Sequence, residues 1–314
     1  MYAFIAKRMV ATIPVMGVVA LFVFLMLRLS PGDPAAVIAG DYASPADIIR
    51  IRAQLGLDEP IAVQFGTWIW SLIRGDLGIS IFSNLPVSKL IAQRVEPTLM
   101  LATTTLLFAI IVAVPMGVIA AWKAGTWIDR AIMIFAVAGF SIPVFVLGYM
   151  LIFEFSLALR WLPVQGYTSP FVDFGKFVQH IILPTVTLSV IYIALIARIT
   201  RASVMEVLDE DYIRTARAKG QTERKVLLAH ALRNAAVPIV TVIGLGVALL
   251  IGGVVVTESV YNIPGLGRLV VDAILKRDYP IIQGLILMFS FVYILVNLVI
   301  DIIYTLLDPR ISLS

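Results

Sequence analysis

Cysteine is absent from the 314 residues, and histidine occurs only at His180 and His230. Without cysteine there is no disulfide framework, no thiolate-held zinc, no iron–sulfur cluster and no thiol catalysis. The HExxH zinc motif and the phosphate-cradling G-x-x-x-x-G-K-[ST] loop are missing as well. A self-contained catalytic centre is therefore hard to build. Charge is scarce too: 14% of residues are charged, where a soluble domain has about 25%. What fills the chain instead is apolar, 60% hydrophobic residues with a mean hydropathy of +0.98. A soluble globule has nowhere to bury that much apolar surface, and a disordered chain has far less of it. The net charge of +4 fits Lys and Arg gathered in cytoplasmic loops of a membrane protein better than a nucleic-acid surface.

Six apolar runs stand between the charges: Met9–Leu27, Pro97–Trp122, Ala131–Phe153, Phe177–Ala197, Ala235–Thr257 and Tyr279–Ile300. A spanning helix needs about 20 apolar residues. The runs are continuous rather than alternating, which selects helices over a β-barrel. The expectation is an all-α polytopic membrane protein, residues 1–314 forming one domain. Lys7 and Arg8 before the first run also resemble the start of a signal peptide; the run's length and the five runs after it favour an uncleaved first helix. With the N-terminus inside, the inner side holds Lys7, Arg8, Lys123, Arg130, Arg310 and the basic residues of 198–236. The outer side, once the long segment 28–96 is discounted, holds Arg160, Lys176, Arg268, Lys276 and Arg277. Both termini are therefore expected inside. Pro14, Pro115, Pro143, Pro184 and Pro238 mark kinks or moving parts. Gly244, Ala248 and Gly252 form a small-residue stripe that lets another helix approach, from this chain or a partner. Glu154 and Asp301 lie near span ends, as anchors at the membrane interface, and Asn297 is suited to helix–helix bonding.

Segment 28–96 reads as a folded outer segment. Ser44-Pro45-Ala46-Asp47 is a helix start, and Gly56 ends that helix. Asp58-Glu59-Pro60 opens a second, whose stripe is Ile61, Phe65, Trp68 or Ile69, and Leu72, closed at Gly75. Two short amphipathic helices result, forming either a platform for an external partner or a cap over the spans.

Segment 198–236 carries the densest pattern. Asp209, Glu210 and Asp211 precede a helical stretch, where acids complement the helix dipole. Ile213, Ala216 and Gly220 share one face. Gly220 is placed to end the helix in a left-handed cap, and Thr222 to start the next at Glu223. A short helix with a small-residue face flanked by positive charge suits insertion into a groove on a cytoplasmic protein; it equally suits a solvated connector.

These residues carry a resemblance. Asp211-Tyr212-Ile213-Arg214-Thr215-Ala216-Arg217-Ala218-Lys219-Gly220, then His230-Ala231-Leu232-Arg233-Asn234 and Pro238, resembles the coupling loop of ABC importer permeases, and more narrowly of the dipeptide/oligopeptide/nickel permease family. Leu55-Gly56-Leu57-Asp58-Glu59-Pro60 with Gln64, Gly75-Asp76-Leu77-Gly78 with Ser80, Glu258-Ser259-Val260-Tyr261-Asn262-Ile263-Pro264-Gly265-Leu266-Gly267, and Asp308-Pro309-Arg310 are similar to the family's other motifs, in order along the chain. The wider class has Glu-Ala-Ala, three residues, then Gly; here Arg214-Thr215-Ala216 stands in the first three places, so no Glu is available for that role.

The resemblance implies a type I importer permease (MetI-like) fold in a bacterial inner membrane. It implies ATPase-coupling residues Asp211, Tyr212, Ile213, Thr215, Ala216, Arg217, Ala218, Lys219 and Gly220. It implies no cofactor on this chain, with ATP and Mg bound by one or two partner ATPase subunits. A homologous second permease and an extracytoplasmic solute-binding protein complete the implied assembly, within membrane lipid and without nucleic acid. The implied solute is a peptide or a relative of one, with nickel chelates, opines, glutathione and oligosaccharides as the family's other cargoes. An ion-coupled secondary transporter is the rival; it would place ionisable groups at midplane within inverted repeats, and neither is evident. An intramembrane protease would need a base beside Ser141, Ser189 or Ser290, and no His or paired Asp is placed for it.

Overall fold

The computed structural model describes residues 2–29, 35–36, 44–54 and 56–307. Leu55 and the Asp308-Pro309-Arg310 motif lie outside them. The helices are α1 (Tyr2–Leu29), α2 (Pro45–Gln54), α3 (Ile61–Ile73), α4 (Val87–Trp122), α5 (Trp127–Ser141), α6 (Val144–Leu151), α7 (Phe174–Leu208), α8 (Asp211–Ala218), α9 (Glu223–Lys225), α10 (Leu232–Asn234), α11 (Ala236–Val260), α12 (Leu266–Lys276) and α13 (Tyr279–Leu307). A π-helical turn, Ile152–Ala158, extends α6, and another, Val226–Ala231, joins α9 to α10. Among the described residues β pairing is confined to one bridge between Ile79 and Pro86.

Among the described residues four helices are long and apolar enough to cross a membrane: α4, α7, α11 and the Tyr279–Ile303 part of α13. In α1 the apolar run with described side chains is Val10–Met26. The third apolar run is not one straight helix. α5 and the α6 pair member, Val144–Ala158, meet at 102°. Pro143 has no N–H to give, and it drives the residue before it out of helical conformation; Ile142 sits at φ −88°, ψ 122°. The other prolines break nothing. Pro14, Pro115 and Pro184 lie inside unbroken helices, and Pro238 occupies the first turn of α11, where an N–H would have no partner.

The chain divides into two compact units, one of residues 1–95 and 269–295, the other of 96–268 and 296–314. In the first, Phe24 of α1 packs on Phe65 and Trp68 of α3, ring centroids 5.1 and 5.6 Å away. The stripe of α3 thus covers α1, while Trp70 on its other side is exposed under the Arg74 guanidinium at 4.7 Å. Gly56 and Gly75 end α2 and α3 where the sequence places the stops, both at positive φ. Gln283 of α13 donates to the Val23 carbonyl at 3.2 Å. Ser80 donates to buried Asp278 at 2.6 Å, fixing the turn that follows Gly75-Asp76-Leu77-Gly78.

In the second unit α7 is the central rod. It runs 35 residues, about 52 Å at 1.5 Å per residue, so its last turns extend the fourth apolar run well past a hydrocarbon core of about 30 Å. Arg198–Leu208, read from the sequence as loop, is therefore helix. Helices α5, α6 and α11 all pack on α7. Glycine permits the closest approaches: a Cβ on Gly117 of α4 would sit 2.5 Å from Thr200 Cβ, and one on Gly139 of α5 would sit 2.8 Å from Val190 Cγ1. Gly244 of the small-residue stripe packs on Ile300 of α13, whereas a Cβ on Gly252 would touch nothing in this chain.

Candidate functional site

The segment after α7 folds as helix, glycine stop, helix. Asp211 stands in the first turn of α8, at the positive end of the dipole, and Arg217 in the last. Gly220 takes φ +78°. Its N–H donates to the Arg217 carbonyl at 2.9 Å, and the Gln221 N–H to the Ala216 carbonyl at 3.2 Å. This is the paired closure of a Schellman cap, which needs the left-handed residue between its two bonds. Thr222 then occupies the N-cap position before Glu223, without a side-chain bond to the helix.

Ile213 is fully buried, and it anchors α8 to its own chain. Of the face Ile213, Ala216 and Gly220, Ala216 is half-buried and Gly220 exposed. Asp211, Tyr212, Arg214, Thr215, Arg217, Ala218 and Lys219 are exposed. The accessible surface of α8 is thus its polar and cationic side. Two bonds tie α8 to the chain that follows: Asn234 Nδ2 donates to Tyr212 Oη at 3.0 Å, and Arg217 Nε donates to Glu223 Oε1 at 2.9 Å. His230 faces Gln221 at 3.0 Å. The two halves of the motif, Asp211–Gly220 and His230–Asn234, therefore meet in space. Beneath them Val226 and Leu227 are buried, and Leu227, Ala231, Ala235 and Ile239 form one apolar cluster with Val204 of α7 and with Val118 and Ala121 of α4.

The motif Glu258–Gly267 closes around a buried carboxylate. Glu258 is fully buried. It accepts from Thr98 Oγ1 at 2.6 Å and from the Arg268 N–H at 3.0 Å. Thr98 Oγ1 in turn accepts the Leu266 N–H at 2.8 Å. Tyr261 is buried with its hydroxyl 2.7 Å from Thr187 Oγ1. Burial pushes its phenol up to about 12, so it stays a neutral donor. Burial likewise raises the Tyr167 phenol, which donates to Glu96 at 3.1 Å.

Two polar groupings were not visible as sites in the sequence. One is Glu258 with Thr98. The other is Asp129 with Arg201, a bidentate pair between α5 and α7 in which the carboxylate is buried and the guanidinium partly exposed. An acid in the first turn of an apolar helix was the only hint of the second. His180 bonds its own helix through the Lys176 carbonyl at 2.7 Å. Glu154 is exposed in the π-helical turn.

A bundle of membrane-length helices here presents a short, exposed helix between two of them. Residues 113–313 match the model of the family described as binding-protein-dependent transport system inner membrane component, and residues 1–102 match its N-terminal companion. The chain belongs to that family, and it is the transmembrane permease subunit of an ABC importer. It is 55% identical over 99% of both chains to a probable peptide ABC transporter permease protein of Sinorhizobium fredii. It is 46% identical over 99% of both to a putative peptide transport system permease protein of Brucella abortus. It is 47% identical over 99% of both to the glutathione transport system permease protein GsiC of Escherichia coli. The fold is similar to inward-facing structures of the MetNI methionine ABC transporter, with TM-scores of 0.59 and 0.58 at 18% identity, over 70% of this chain and 97% and 96% of those.

Proposed function

We propose that this chain forms half of a peptide pathway across the inner membrane, with both termini in the cytoplasm. A homologous permease supplies the other half. Two ATPase subunits, holding ATP and Mg, dock on the cytoplasmic face, and an extracytoplasmic binding protein delivers the solute. Segment 198–236 is the cytoplasmic coupling loop, and segment 28–96 lies outside. The observation that carries this reading is α8: a helix anchored by buried Ile213, capped at Gly220, and presenting Tyr212, Arg214, Thr215 and Lys219 outward. Those side chains contact the rim of an ATPase groove, and the small side of the helix transmits the motion to its own chain. Peptide is supported as the solute class by the names of the relatives, glutathione being itself a small peptide.

The test is purification of a tagged chain from native membranes in mild detergent, with co-purifying chains identified by mass spectrometry. The expected result is a second permease and one or two P-loop ATPases. Recovery of this chain alone, active in liposomes without ATP, would overturn the reading in favour of an ion-coupled transporter.

A further inference from the structure

Asp129 lies in the first turn of α5 and is 4% exposed. Its carboxylate takes both arms of the Arg201 guanidinium on α7, Nε on Oδ1 at 2.5 Å and Nη2 on Oδ2 at 2.7 Å. The same Oδ2 accepts the Gly125 N–H from the α4–α5 turn at 2.9 Å. One carboxylate thus joins the turn, α5 and α7. Asp129 is buried and Arg201 partly exposed, and such an ion pair is poor evidence for stability, because desolvation offsets much of its attraction. What it does supply is geometry: a bidentate fork holds two helices in one register, and no apolar contact between them has that directionality.

The position of the pair matters. Within one turn of Arg201, Val204 enters the apolar cluster that also contains Leu227, Ala231 and Ala235, the chain directly beneath α8. At its other end α5 runs to the bend at Pro143, where Phe140 and Val144 line a pocket of about 240 Å³ with Leu188, Tyr192 and Gly253. Asp209 and Glu210 join α7 to α8 directly in the chain. The ion pair adds a directional link from α7 to α5, beside the packing between those two helices.

We propose that Asp129 and Arg201 are positioning residues that make α5 move with α7 when α8 is displaced, so that nucleotide-driven motion reaches the bend at Pro143. The proposal rests on the ABC reading above. The test uses the assembled transporter in proteoliposomes. The chain has no native cysteine, so spin labels go on Trp127→Cys of α5 and Ala202→Cys of α7, both exposed. Their separation is read without nucleotide and with ATP trapped by vanadate. ATP hydrolysis by the labelled transporter is measured first; its absence would sink the ABC reading rather than the role of the pair. In the wild-type background the separation is expected to stay the same in both states. With Asp129→Asn it is expected to match wild type without nucleotide and to change by about 2 Å or more on trapping, the scale of helix shifts in switching proteins. Arg201→Gln is expected to behave alike. A separation that changes in the wild-type background overturns the proposal, as does one that holds still in both variants. Failure of both variants to assemble makes the pair a folding element only, and overturns it too.

Discussion

A Cβ on Gly265 would lie 2.0–2.4 Å from the Glu258 carboxylate. That carboxylate is fully buried and holds Thr98 and the Arg268 amide, so neither side can yield without leaving polar atoms unpartnered. Gly265→Ala is expected to destabilise by on the order of 3 kcal/mol, read as thermal unfolding in detergent. Gly252→Ala, with open space around it, is expected to stay within about 0.5 kcal/mol of wild type; equal losses would contradict the packing. Tyr261→Phe removes the bond shared with buried Thr187 and is expected to cost about 1–2 kcal/mol by the same measurement. None of this was legible beforehand. Glu258 and Thr98 stand 160 positions apart and Asp129 and Arg201 72 apart, so no local pattern pairs them. Sequence pattern reports the neighbours on one helix, not those on the next.

At the scale of the element, features set by local chemistry were legible. The stops at Gly56, Gly75 and Gly220 follow from left-handed geometry within a few residues. The consequence for α8 is testable. Nothing lies within 4 Å of a Cβ on Gly220, so a substitution there acts through the backbone alone. A β-branched or bulky residue is disfavoured at φ +78° by about 1–2 kcal/mol, and Asn by less. Gly220→Val and Gly220→Leu are expected to uncouple ATP hydrolysis from uptake, and Gly220→Asn to retain most uptake, in reconstituted transporter. Equal loss in all three would point to a contact with a partner instead. Which face of α8 turns inward was not legible. Ile213, Ala216 and Gly220 make a stripe on paper, but only the fold shows Ile213 buried. Nor did proline content separate Pro143, which bends its helix pair by 102°, from Pro115 and Pro184, which lie in unbroken helices.

For the whole molecule, the apolar runs and the order of the motifs were enough to reach the membrane class and the family. The orientation makes a prediction of its own. Arg214, Arg217 and Lys219 are exposed, as are Arg160 and Lys176. Trypsin added to inside-out vesicles is expected to cut in the α8 segment and to spare Arg160 and Lys176; right-side-out vesicles are expected to show the reverse, read by mass spectrometry of the fragments. Cutting in the α8 segment from right-side-out vesicles only, with Arg160 and Lys176 cut only from inside-out ones, would refute termini that face the cytoplasm.

Helix α7 is a single rod of 35 residues, about 52 Å from end to end. Pivoted near one end, such a rod works as a lever: a tilt of only about 5° sweeps its far tip through about 4.5 Å. A push of a few ångströms where α8 attaches needs no melting of α7, no new bend and no sliding along its axis. The molecule can exchange a short stroke at one end for a small rotation of everything bolted to the shaft.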